Sequence, residues 1–97
     1  MLYEWDEIKR QTNLVKHGID FRDAIRVFDG PVFANTSRHR SEERIVAVGL
    51  MKGIEIVLVY VMRGQRRRII SARRAHRNER QDYANHLKVA DQGPNGL

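Results

Sequence analysis

"IEIVLVYVMRGQRRRIISARRA", residues 54–75, decides the fold, because the remaining elements must be arranged around the two strands it encodes. The first arm, 54–62, is apolar at nearly every position. A run of that kind suits a central strand covered by helices on at least one side. Gly64-Gln65 supplies turn residues, and 66–75 reads as the returning antiparallel strand. The loop length sets which side chains share a face. With two loop residues, Arg63 sides with Arg66 and Arg68; with three, it joins Arg67 and Arg73. A slip of one residue exchanges the faces, so the sequence leaves both open.

Outward from this hairpin, "RIVAVGLM" (44–51) and Lys52-Gly53 pair with 54–62 as a second hairpin. "VFANT" (32–36) is expected as an edge strand, followed by the polar loop "SRHRSEE" (37–43). Near the start, "LYEW" (2–5) reads as a short strand. Asp6 then caps a helix "EIKRQTNLVKHG" that Gly18 closes, with Ile8, Leu14 and Val15 as its core stripe. Asp20 caps a second helix, "FRDAIRVF", whose Phe21, Ala24, Ile25 and Phe28 follow the helical period, and "DGP" ends it. A last helix, about 76–89, carries Tyr83, Leu87 and Val89. The expected order is β-α-α-β-β-β-β-α: an α+β domain over residues 1–90, helices packed on a twisted antiparallel sheet, with 91–97 a flexible tail.

Charge is distributed unevenly. Residues 1–50 hold eight Lys/Arg and eight Asp/Glu, so the whole formal +6 resides in 51–97. Between 63 and 80 stand eight arginines, one glutamate and no lysine. Basic character confined to one stretch points to a surface that meets phosphate or an acidic partner. An apolar fraction of 41% excludes wholesale disorder. No cysteine is present, so disulfides, thiolate nucleophiles and Cys-based zinc sites are excluded. The N-terminus lacks the apolar core of a secretory signal, and the apolar run 56–62 is too short to span a bilayer; the cytoplasm is the expected location.

Arginine suits phosphate because its planar guanidinium stays charged and donates two parallel hydrogen bonds. Arg63, Arg66, Arg67, Arg68, Arg73 and Arg74 lie on or beside two adjacent strands. Faces alternate, so two or three of them can meet one ligand. Arg74, Arg77 and Arg80 recur every three residues as the last helix begins, and are expected to set the surrounding field. His39 with Glu42 and Glu43 is a poor metal set in a polar loop, and no cofactor motif is present. The acid–base candidates are His17, His39, His76, Glu43 and Tyr83, with Lys9 and Lys16 as charges. Metal-free RNA cleavage needs only a base, an acid and cations, since the ribose 2′-OH is the nucleophile. His17 has an equally good structural reading as a cation at a helix C-terminus.

Together, "YEWDEIK", "NLVKHGIDFRDAIRVFDGP", "EERIVAVGL", "LVYVMRG" and "RRIISARRAHRNERQDY" resemble the BrnT-type toxins of bacterial type II toxin–antitoxin modules, over about residues 3–83. The resemblance implies a RelE-like fold, metal-independent endoribonuclease activity that inhibits translation, and no cofactor. It further implies neutralisation by a BrnA-type antitoxin with a ribbon-helix-helix DNA-binding domain, operator DNA being reached only through that antitoxin. The motif positions fall here on Trp5, Lys9, Lys16, His17, Phe21, Glu43, Arg44, Arg63, Arg68, Ser71, Arg73 and Tyr83. Arg63 and Arg73 are expected at the phosphate and transition state, Arg68 and Lys9 beside them, with His17 or Glu43 moving protons. Lys16, Arg66, Arg67, Arg74, Arg77 and Tyr83 are expected to bind RNA. Trp5 and Phe21 are expected in the core. Met62 stands where relatives often carry a polar residue. The competing reading is a non-catalytic basic module that binds nucleic acid or an acidic protein.

Overall fold

The computed structural model describes residues 2–92. The chain runs β1 (Leu2–Trp5), α1 (Glu7–His17), α2 (Phe21–Ala24) continuing as a 3-10 turn (Ile25–Asp29), β2 (Phe33–His39), β3 (Glu42–Met51), β4 (Ile54–Arg63), β5 (Arg66–Arg74) and α3 (Arg77–Gln92). The five strands form one sheet in the order β1-β5-β4-β3-β2. This is the expected α+β order. α3 continues to Gln92, through the first two residues of the expected tail, and 93–97 lie outside the described residues.

Both hairpins turn where the sequence places them. Lys52 and Gly53 have φ of 53° and 78°, the pair of positive values that a two-residue type I′ connection requires. Arg63 pairs directly with Arg66, so the second loop is Gly64-Gln65 and the two-residue alternative holds. β2 reaches His39, three residues beyond expectation, because Ser37, Arg38 and His39 pair with Arg44, Glu43 and Glu42. The polar loop shrinks accordingly to a turn around Arg40, at φ 58°.

Two features depart from the sequence reading. β1 runs parallel to β5, with Leu2, Tyr3, Glu4 and Trp5 opposite Arg66, Arg67, Arg68 and Ile69, so the sheet is antiparallel at every junction but this one. The expected stripe of α1 is also not a core stripe. Ile8 is 76% exposed, Val15 90% and Leu14 40%, whereas Asn13 is the helix's buried residue. The physical reason is position. β1 ends at Trp5, opposite Ile69, and α1 continues along the edge of β5 rather than lying over a face of the sheet.

Asn13 completes that edge. Its amide nitrogen donates to the carbonyls of Ile19 and Ala72, each at 2.9 Å, and its oxygen accepts from the Ala72 N–H at 3.1 Å. One side chain thereby satisfies both backbone groups of Ala72 where no strand continues.

The main core lies on one face, beneath α2 and its 3-10 extension, and contains Ile19, Phe21, Ala24, Val27, Ala47, Ile56, Leu58, Tyr60, Ile69 and Ala72. Phe21 is fully buried and Trp5 packs edge-on against it at 6.1 Å, so both aromatic residues are core, as expected. Close approach to the 3-10 turn explains Gly49: a Cβ there would lie 2.8 Å from that of Val27. A smaller core on the opposite face joins Val48, Val57 and Ala75 to Tyr83 of α3.

Candidate nucleic-acid interface

The arginines of β4 and β5 are sorted by register. Opposite partners in a sheet share a face. On the main-core face β4 presents Ile56, Leu58 and Tyr60; on the α3 face it presents Val57 and Val59. Ser71 pairs with Val59, Arg73 with Val57, Arg68 with Val61 and Arg66 with Arg63. Arg63, Arg66, Arg68 and Arg73 therefore all belong to the α3 face.

Simple alternation would separate Arg68 from Arg73, which stand five residues apart. A register shift at Val59/Tyr60 removes the conflict. Tyr60 pairs with Ile69 and Val59 with Ser71, leaving Ile70 without a partner as a β-bulge. The extra residue moves the end of β5 by one step and brings Arg73 round to join Arg68. The ladder from Arg66 to Arg73 is roughly 20 Å long at ~3.3 Å per residue.

These four arginines differ in compensation. Arg68 donates to Glu4 at 2.7 Å across the parallel β1–β5 junction. Arg73 makes a two-pronged pair with Glu79, both contacts at 2.8 Å. Glu79 also accepts from the His76 backbone N–H at 2.7 Å, so one carboxylate ties the end of β5 to the start of α3. The Arg73 bonds, helped by that N–H, hold the Glu79 carboxyl at about 2, well below its usual range. Arg63 and Arg66 are exposed and opposite one another, and neither forms an ion pair among the described residues. Like charges directly opposite one another destabilise a sheet.

Beside this ladder, α1 and the bulge of β5 enclose an open groove of about 290 Å³, lined by Lys9, Thr12, Lys16, His17, Ile70 and Ser71 among others. Asp6 caps α1 through the N–H groups of Ile8 and Lys9, which starts the helix so that Lys9 and Lys16 border the groove. Lys16 and His17 occupy the last turn, where a positive charge complements the helix dipole. Neither lysine forms an ion pair among the described residues. Asn13, also on the groove wall, fixes the distance between the cations of α1 and the arginines of β5. Sequence reasoning missed both Asn13 and Glu79. The capping-box position of Glu79, three residues after His76, was the available signal.

Other expected contacts lie elsewhere. Arg67 faces the main core, its guanidinium 3.6 Å from the Phe28 ring centre and flanked by Tyr3 and Tyr60. Tyr83 is 2% exposed and donates to the Pro31 carbonyl at 2.8 Å, with burial raising its hydroxyl pKa. Packing of this kind gives both residues a structural task away from the basic surface. Glu43 pairs with Arg38 at the far end of β3, on the face of Ile45 and Ala47, opposite the ladder. Arg74 faces away from Arg73 and pairs with Ile56. Arg77 is exposed at the start of α3. Among the described residues no group of three or more His, Cys, Asp or Glu side chains is placed to hold a metal ion.

No curated protein matches the chain. The family model described as "Ribonuclease toxin, BrnT, of type II toxin-antitoxin system" matches residues 5–79. That span takes in the groove, Arg63, Arg66, Arg68 and Arg73, and ends on Glu79.

Proposed function

The chain belongs to the BrnT family of ribonuclease toxins of type II toxin–antitoxin systems, and on that premise we propose that it cleaves RNA internally without a metal ion and so inhibits translation. The observation that carries this reading is the meeting of two sets of cations at one edge of the sheet. Lys9, Lys16 and His17 border the groove, and the ladder of Arg63, Arg66, Arg68 and Arg73 lies beside it. A single RNA strand laid along the ladder places a phosphate where several positive groups converge. The 2′-oxygen loses its proton to a base and attacks phosphorus, and the bond to the 5′-oxygen breaks. That oxygen takes a proton, which leaves a 2′,3′-cyclic phosphate and a free 5′-hydroxyl.

Fixed positive charge around the phosphorane lowers the barrier without any metal. Among the described residues Arg63 and Lys9 form no ion pair. Lys9 meets the reacting phosphate at the groove, and Arg63, roughly 20 Å along the ladder from Arg73, meets a phosphate farther along the strand. Arg73 acts from a fixed position, because Glu79 occupies both prongs of its guanidinium. The position of His17 on the groove supports it, rather than Glu43, as the group that moves protons. A BrnA-type antitoxin with a ribbon-helix-helix domain covers the same basic face and carries the pair to operator DNA. The site of action is the cytoplasm; no helix among the described residues is long and apolar enough to cross a membrane.

The test is purified protein with RNA in EDTA. Cleavage to cyclic phosphate ends is expected, with a loss on the order of 100-fold in an Arg63→Ala/Arg73→Ala double variant. An inert wild type, or a double variant as active as wild type, overturns the reading. The pairing of Arg68 and Arg73 with carboxylates favours the second reading, a non-catalytic RNA-binding module. Intact RNA bound with a steep salt dependence would select it.

A further inference from the structure

A second cavity adjoins the groove. It lies past the end of α1, has a volume of about 150 Å³, and is more enclosed than the groove. Ile19, Met51, Ile54 and Ile56 are its apolar lining, and His17 and Arg74 line it as well. The fold produces it in three steps. Gly18, at φ 70°, ends α1 in a left-handed turn and lets Ile19 enter the core. The β3–β4 hairpin brings Met51 opposite Ile54 at its closing pair. The bulge at Ile70 then turns Arg74, rather than Arg73, to this side, opposite Ile56.

We propose that this cavity is a nucleobase subsite: it receives one base of the RNA strand whose backbone occupies the adjoining groove. The inference rests on the reading of that groove as an RNA site and deepens it. His17 lines both cavities, so a nucleotide with its phosphate beside Lys9 and Lys16 can direct its base past the imidazole without leaving the surface. The wall chemistry matches a base and mismatches other ligands. Four aliphatic side chains would strip water from a phosphate or a carboxylate without replacing its hydrogen bonds. A base presents two apolar faces to such walls and a polar edge to the N–H groups of Arg74 and His17. Guanidinium planes also stack on bases, which aliphatic walls alone cannot do. Arg74 is exposed and free of ion pairs among the described residues, so no carboxylate must be displaced first.

The subsite gives Arg74 a task different from that of its neighbour. Arg73 meets the backbone on one face, and Arg74 meets a base on the other. It also supplies what a purely electrostatic ladder lacks, a means to prefer one nucleotide over another next to the cut.

The binding probe is a fluorescein-labelled single strand with 2′-O-methyl riboses, which lacks the attacking hydroxyl and stays intact. It is compared with a 2′-O-methyl ribose–phosphate chain of the same length lacking its bases. Cut sites are mapped separately on unmodified RNA in EDTA. Wild type is expected to bind the base-bearing strand ~10-fold or more tightly, as one stacked base is worth about 1–3 kcal/mol. Ile54→Trp, which fills the cavity from a partly exposed position, and Arg74→Ala, at an exposed one, should each cut that ratio to below about 3. Both variants should keep the wild-type melting temperature. Mapping of cut sites should show a base preference in wild type that either variant loses. Equal binding of the two strands by wild type, or ratios and cut sites unchanged in both variants, overturns the subsite. Loss of antitoxin binding by Ile54→Trp with an unchanged ratio would assign the cavity to a protein side chain and equally overturn it. Failure of the ribonuclease reading looks different: no cleavage, with the binding ratio intact.

Discussion

The two faces of β5 carry the same residue type and use it in opposite ways. On the main-core side, Arg67 lies over Phe28 between two tyrosines, its charge met by ring faces and its Nε buried without a hydrogen-bond partner. On the α3 side, Arg68 and Arg73 are met by Glu4 and Glu79, while Arg63 and Arg66 are met by nothing on the described chain. A carboxylate partner fixes where an arginine points, and an arginine without one on the described chain keeps all its donors open. Charge density alone cannot make that distinction, because it counts all of them equally.

The hardest break in the contrast is at the clamp between α1 and β5. Asn13→Ala strands the backbone groups of Ala72 and the Ile19 carbonyl in a buried place, a loss of about 3 kcal/mol in urea unfolding. Asn13→Asp replaces the donor with a carboxylate oxygen that faces the Ile19 and Ala72 carbonyls in a buried place, and should cost at least as much. Next, Arg67→Ala should cost about 1–2 kcal/mol through lost ring contacts and stem packing, with RNA affinity unchanged at matched fold. If Arg67→Ala instead weakens RNA binding and spares stability, the division of the faces is wrong.

A smaller effect separates the paired arginines from the free ones. Glu79 has its carboxyl pKa lowered from 4.5 to about 2. A depressed carboxyl stabilises the fold above its unfolded value, and the gain disappears as pH falls through the folded one. Thermal stability should therefore drop between pH 4.5 and 2, and Glu79→Gln should flatten that part of the profile. Asp20, lowered from 3.8 to about 2 by Arg22 first and Arg10 last, adds a parallel loss that Glu79→Gln leaves in place. The least change in stability is expected for Arg63→Ala and Arg66→Ala, within about 0.5 kcal/mol. Each should nevertheless lower the salt slope of RNA binding by about 1.

Most of the fold was legible, and the failures share a cause. Periodicity found every element in order, and turn residues placed both hairpin loops. The parallel pairing of β1 with β5 was not legible, since "LYEW" carries no mark of its partner. α1 misled because Ile8, Leu14 and Val15 have the spacing of a buried stripe, yet the helix borders a strand and needs one polar clamp instead of a broad apolar face. For the site, the resemblance groups Lys9, His17, Glu43, Arg63, Arg68 and Arg73, and the register sets Glu43 apart on the other face. Alternation alone would have divided the arginines, and Ile70, an ordinary strand residue in sequence, is what unites them. Charge points Arg67 to RNA and the resemblance points Tyr83 there, and neither signal carries the rings and the carbonyl that engage them.

The long reach of the β1–β5 junction has a consequence for synthesis. Arg68 finds Glu4, and Arg67 finds Tyr3, across 64 residues of chain; Ala72 finds Asn13 across 59. A ribosome that has released only the first two hairpin strands has therefore made α1 with no edge to rest on and no groove beside it. Contacts so distant in sequence form late, because the chain between them must first be ordered. The basic surface comes into being only as the last third of the polypeptide emerges. A nascent chain stalled before Arg66 carries the lysines and the histidine but neither the groove wall nor the arginines that complete the basic surface.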